Sequence, residues 1–124
     1  MSGESILLDT NIVLYLLRGD DELEVLLQDA TVFLSVITKV ELLSHPALDA
    51  QGERVIRDLL DQVKLMEFTG PIQERTIAFR RKHKLKLPDA AIAATAAFLG
   101  VRLITADKRF ARLKDDLEIL LVQR

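Results

Sequence analysis

The chain has 124 residues, within the range served by a single core, and 49% of them are apolar while only 5% are aromatic and none is Trp. It carries a formal net charge of -2 and no Cys, which excludes disulfide staples, thiolate metal sites and thiol nucleophiles and leaves hard oxygen ligands for any metal. His45 and His83 are the only imidazoles and neither has a histidine partner at helical ligand spacing, so zinc is not expected. The opening MSGESILLDTN lacks a basic segment and meets an acid after three apolar residues, unlike a signal peptide. The longest nearly apolar stretch, residues 90–101, is too short to span a membrane. A soluble cytoplasmic protein with one domain over residues 1–124 is expected.

In chain order, residues 6–8 read as a short strand ending at Asp9, and IVLYLL as a buried helix terminated by Gly19. DDELEVLLQD suits a polar helix with acids in its first turn, where the helix dipole favours them. Residues 32–34 give a second strand. Residues 38–44 give a short helix, stopped by Pro46 and carrying Glu41. Val55, Ile56, Leu59, Leu60 and Val63 recur at amphipathic-helix spacing, and residues 65–68 form a third apolar run before Thr69-Gly70-Pro71. Ile72, Thr76 and Phe79 mark a helix running into RRKHKLK, after which Pro88-Asp89 opens an alanine-rich helix closed by Gly100. Residues 103–105 and 119–122 supply two last strands. Such alternation predicts a parallel sheet covered on both faces, with all strand C-termini on one edge, where ligands bind in folds of this kind.

Asp9, Glu41, Asp89 and Asp107 all fall near that edge. Carboxylates brought this close repel one another, and a hard divalent cation such as Mg²⁺ or Mn²⁺ relieves the repulsion. Each has an ordinary alternative: Asp9, Asp89 and Asp107 stand where helix caps are favoured, and Glu41 can pair with Lys39 or another cation. Asn11 competes with Asp9 for the cap. Four independent caps need no shared address, and that coincidence favours a metal site. Thr10 and Thr105 stand beside these acids as candidate supporting donors, although threonines at strand ends are common for propensity alone. Arg80, Arg81, Lys82, Lys84 and Lys86 polarise the charge of the chain. They suit either a solvated helix C-terminus or guidance for a phosphate backbone approaching Asp89.

LLDTN, SVITKVELL, LPDAAIAATA and LITADKRF, in this order, resemble the PIN-domain ribonucleases, most closely the VapC toxins of type II toxin–antitoxin pairs. The resemblance spans almost the whole chain. It implies a three-layer α/β/α sandwich on a five-stranded parallel sheet and a Mg²⁺- or Mn²⁺-dependent RNA endonuclease leaving 5′-phosphate and 3′-hydroxyl ends. It also implies a homodimer and a cognate VapB-type antitoxin. Matched residue by residue, it makes Asp9, Glu41, Asp89 and Asp107 the metal-binding and catalytic quartet, supported by Thr10, Asn11 and Thr105, with Asp107 acting directly or through water. The five cations at 80–86 become candidates for RNA phosphates or for an acidic antitoxin segment. A phosphoacceptor domain would need an aspartate ending the third strand, where Phe68 stands. A haloacid-dehalogenase-type phosphatase would need an aspartate at position 11, where Asn stands. The remaining alternative is a metal-free PIN-like adaptor that binds RNA or protein without cutting.

Overall fold

Ile6, Leu7 and Leu8 are buried in succession, as a strand must be when helices cover both faces of its sheet. They belong to β1 (Ser5–Leu8), the central strand of the computed structural model, which describes residues 3–124. The chain continues through α1 (Thr10–Leu17), α2 (Asp21–Leu26), β2 (Thr31–Ser35), α3 (Val36–Leu43), α4 (Ala50–Asp61) and β3 (Lys64–Met66). Then come α5 (Gly70–His83), α6 (Leu87–Leu99), β4 (Arg102–Thr105), a 3-10 helix (Lys108–Leu113) and β5 (Ile119–Leu121). All pairings are parallel and the order is β3-β2-β1-β4-β5, the expected five-stranded sheet between helical layers.

Side chains alternate across a strand, so Leu7 and Leu103 face one layer while Ile6, Leu8 and Ile104 face the other. The first layer packs Ile72 and Phe79 of α5, Ile92 of α6 and Phe110 of the 3-10 helix on the sheet. The second packs Ile12, Leu23, Leu42 and Ile56 from α1 to α4. In α6 the small Ala90, Ala91, Ala93, Ala94 and Ala96 are fully buried, which lets this helix lie close to its neighbours. Its first turn, carrying Asp89, borders a cavity that Asp9 also lines. Gly100 closes α6 at φ 68, with its N–H donating to the Ala96 and Ala97 carbonyls. Gly100→Ala places a Cβ in that left-handed conformation and is expected to cost about 1 kcal/mol, read from urea unfolding.

Several element ends differ from expectation for identifiable reasons. β3 stops at Met66 instead of residue 68 because its only neighbour, β2, stops at the paired Ser35, leaving Glu67 and Phe68 without a strand partner. α4 begins at Ala50, ahead of its apolar stripe, because the Asp49 carboxylate accepts from the Gly52 N–H at 2.7 Å; it ends before Val63. α3 begins at Val36, where the Ser35 hydroxyl accepts from the Ile37 N–H.

Arg124 is tied back to the fold. The Arg124 guanidinium donates to Asp20 at 2.6 and 3.1 Å, and Asp20 also caps α2. Arg124 holds the Asp20 carboxyl below its ordinary value of 3.8. A lowered folded pKa means that this contact stabilises above the ordinary value and is lost as pH falls through the lowered one. Arg124→Ala is therefore expected to be slightly less stable at neutral pH and to converge on the parent in acid, below 3.8, in urea midpoints measured across pH.

Candidate active site

The connections leave β1 toward β2 on one side, while its other neighbour is β4, so a crevice opens between the C-terminal ends of β1 and β4. Asp9 stands in it. Its backbone N–H donates to the Ile104 carbonyl at 3.2 Å, fixing it against β4. One carboxylate oxygen accepts from the Ile12 N–H at 2.9 Å, capping α1, and the other accepts from the hydroxyl of Thr105. Thr105, fully buried, accepts in turn from the Asp107 N–H at 3.0 Å. A single hydroxyl thus couples the positions of two acids.

Glu41 reaches the crevice from α3. The Thr10 hydroxyl donates to it at 2.6 Å and lies 3.0 Å from the hydroxyl of Thr38, which is fully buried beneath. With the Thr10 proton committed to Glu41, Thr38 donates to Thr10, and the pair fixes the carboxylate from below. Asp89 enters from the first turn of α6, a helix without a side-chain cap hydrogen bond. Asp107 follows β4, caps the 3-10 helix through the Arg109 N–H, and is gripped by the Arg109 guanidinium, with Nη2 to Oδ2 at 2.6 Å. The four carboxylates line one cavity of about 120 Å³, together with Thr10, Asn11, Ile92, Arg109 and Phe110.

Burial pushes the Asp9 carboxyl up, the Thr105 and Ile12 donors oppose the rise, and the charges of Asp107 and Asp89 add to it. Burial also raises Asp89, where Arg109 opposes the rise and the charges of Asp107 and Glu41 reinforce it. Asp107 goes the other way, held low by its hydrogen bond with Arg109. For Asp9 and Asp89 the charged form is thus disfavoured, chiefly by burial, and a divalent cation bound beside them would offset that penalty. Among the described residues no group of three or more acidic or imidazole side chains is arranged to hold a metal ion as it stands; Glu41 is bonded to Thr10 and Asp107 to Arg109. The donor set itself fits a hard cation: carboxylate oxygens only, on a rigid sheet edge.

Asp9 is both a helix cap and a cavity residue, and Asn11, offered as the alternative cap, lines the cavity without capping α1. Asp107 also caps, but Asp89 and Glu41 do not. Glu41 is exposed at the mouth, and its hydrogen-bond partner among the described residues is the Thr10 hydroxyl, not Lys39. Thr10 and Thr105 both donate to quartet carboxylates. The cationic stretch is dispersed: Arg80 donates to the Leu85 carbonyl, Lys82 pairs with Asp116, and Lys84 is the left-handed end of α5. Arg81 and Lys84 are exposed without an ion-pair partner among the described residues, and Lys86 stands close enough to lower Asp89 slightly. Thr38 and Arg109 escaped sequence reasoning. Thr38 had a signal, three residues before Glu41 on the same helical face; a lone exposed arginine in a short turn had none.

An acidic crevice at the direction switch of a parallel α/β sheet defines the class, and comparison with known proteins defines the family. The PIN domain model matches residues 6–116, and the chain belongs to that family. A toxin-antitoxin complex from Klebsiella pneumoniae contains a similar chain, 32% identical, with a TM-score of 0.83 over 96% of this chain and 99% of that one. VapBC-1 from nontypeable Haemophilus influenzae matches at 26% identity and a TM-score of 0.77, covering 94% and 97%. VapBC2 from Rickettsia felis, solved with a DNA fragment from its promoter, shares the fold at 21% identity and a TM-score of 0.81, covering 96% and 99%. No curated protein matches the sequence.

Proposed function

We propose that the protein is a divalent-metal-dependent RNA endonuclease acting as the VapC-type toxin of a type II toxin–antitoxin pair. The observation that carries the reading is the convergence of Asp9, Glu41, Asp89 and Asp107 on one cavity, with the Asp89 carboxylate free of any cap bond that would explain it. PIN membership and the similarity to a chain of the Klebsiella pneumoniae toxin-antitoxin complex support the toxin assignment. The implied partners are a VapB-type antitoxin and a second copy of the chain in the cytoplasm. Among the described residues no helix is long and apolar enough to cross a membrane.

A Mg²⁺ or Mn²⁺ ion bound here would supply Lewis acidity at the scissile phosphate and lower the pKa of a bound water. Asp9 and Asp89, the two acids whose charge burial disfavours, would hold the cation, and Asp107 would complete the set directly or through water. Glu41, steadied by Thr10 at the mouth, accepts a hydrogen bond from the attacking water and orients it. The water oxygen would bond to phosphorus while the water releases a proton to solvent past Glu41, the P–O3′ bond would break, and the leaving 3′-oxygen would take a proton from solvent, leaving 5′-phosphate and 3′-hydroxyl ends. Arg81, Lys84 and Lys86 offer exposed charge for RNA phosphates, whereas Arg80 and Lys82 are drawn into contacts of their own.

The test is cleavage of a structured RNA pool with Mg²⁺ or Mn²⁺, with chelator, and with Asp89→Asn in parallel. Metal-dependent cutting that chelator removes is the expected outcome. A protein that binds RNA without cutting, and whose melting temperature ignores the metal, would be the adaptor. A phosphoacceptor domain is disfavoured by topology as well as sequence, since β3 lies at the sheet edge and β2 separates it from Asp9.

A further inference from the structure

Arg109 places a cation inside the cavity that a metal would occupy. Its guanidinium holds Asp107 through Nε at 3.1 and 3.0 Å and through Nη2 at 2.6 Å, and the same Nη2 lies 3.6 Å from Asp89 Oδ2. Its backbone N–H donates to the same Asp107 side chain at 2.9 Å. One residue thus bridges two of the four carboxylates across the space between α6 and the 3-10 helix. Lys86 and Arg112 are near enough to influence Asp89 and Asp107, but neither is hydrogen-bonded to a quartet carboxylate among the described residues. The Arg109 side chain is 54% exposed, so it can withdraw into solvent without uncovering the core.

We propose that Arg109 is a built-in competitor for the divalent cation, neutralising Asp107 and Asp89 while the metal is absent and being displaced from them when it binds. This rests on the metal-site reading above. The guanidinium and a divalent cation both need the lone pairs of Asp89 and Asp107, and two cations in a space of this size repel. The device serves both states. Without metal, it relieves carboxylate repulsion that would otherwise loosen the first turn of α6 against the 3-10 helix. With metal, the displaced guanidinium remains at the cavity mouth, where an entering phosphate meets a positive charge. The threshold metal concentration for loading the site is then set by this chain's own arginine as well as by its acids.

The test is Mn²⁺ binding to the full chain, measured by calorimetric titration in the absence of RNA, for the parent, Arg109→Gln, Arg109→Lys and Asp89→Asn. Arg109→Gln is expected to bind Mn²⁺ tighter, on the order of tenfold, the scale for losing one half-exposed forked ion pair. Arg109→Lys, which keeps the charge but loses the fork, is expected to fall between. Melting temperatures give a second reading: Arg109→Gln should melt lower than the parent without metal and gain more on Mn²⁺ addition. Equal or weaker Mn²⁺ binding by Arg109→Gln, with Asp89→Asn still impaired, overturns the competitor role and leaves the metal site standing. Absence of binding in every variant, or full binding by Asp89→Asn, overturns both.

Discussion

Asp89→Asn is expected to lower metal-dependent RNA cleavage by at least about 10³-fold while leaving the metal-free fold within about 1 kcal/mol of the parent. The two halves of that expectation have separate causes. Asp89 belongs to a helix with no side-chain cap bond, and among the described residues its carboxylate has one ion-pair partner, Arg109 at 3.6 Å, so replacing an oxygen by NH₂ removes charge and little else. The charge removed is one that burial and the neighbouring Asp107 and Glu41 already disfavour, so the metal-free protein loses a repulsion along with a weak ion pair. Cleavage, by contrast, should need the full charge under the proposed mechanism, because an amide is a poor ligand for a hard cation. Asp9→Asn tests the same site from β1, although there the amide must also replace the cap to Ile12 and the acceptor for Thr105. If the acids act as one unit, the Asp9→Asn/Asp89→Asn double variant cuts no more slowly than Asp89→Asn alone. Single-turnover cleavage at saturating Mn²⁺, with urea unfolding beside it, reads both halves. Retention of a tenth of parental activity by Asp89→Asn would move the reactive centre out of this cavity.

What was legible in the sequence follows the range of the interactions. The run Ile6-Leu7-Leu8 announces a strand buried on both faces, and a parallel sheet follows from the helices between successive strands. Placing Asp9, Glu41, Asp89 and Asp107 near one edge needed no more than that. Strand order is another matter: β1 is joined to β4 by contacts such as Thr105 to Asp9, 96 residues apart, which no local pattern encodes. The end of β3 was misjudged because Phe68 is as apolar as Leu65, and only the length of β2 decides where pairing stops. The cations of residues 80–86 look like one patch in sequence, yet a helix end, a left-handed Lys84 and the start of α6 send them to different places. Arg109 was invisible for the opposite reason. It lies on no periodic face, and its role comes from geometry between two elements that the sequence separates.

Thr105→Val should be the most destabilising of the substitutions considered, by about 2–3 kcal/mol, lowering the melting temperature by roughly 10 °C. Valine matches threonine in shape, so packing beneath the site is preserved and the loss is polar. The hydroxyl at position 105 donates to Asp9 and accepts from the Asp107 N–H, both in a place closed to water at Thr105 itself. Its removal leaves a buried carboxylate oxygen and a backbone donor without their partner at once, and an unmet buried group costs more than a formed hydrogen bond returns. Thr105→Ser keeps the hydroxyl and gives up one methyl, so it should recover most of the stability, at a remaining cost of about 1 kcal/mol. Cleavage should follow the same order, with Thr105→Val slower by about 10- to 100-fold as Asp9 loses its fixed orientation and Thr105→Ser close to the parent. A valine variant that melts with the parent but cuts poorly would separate orientation from stability. One that melts early and is not rescued by serine would mean that the methyl, not the hydroxyl bridge between Asp9 and Asp107, holds this corner of the sheet.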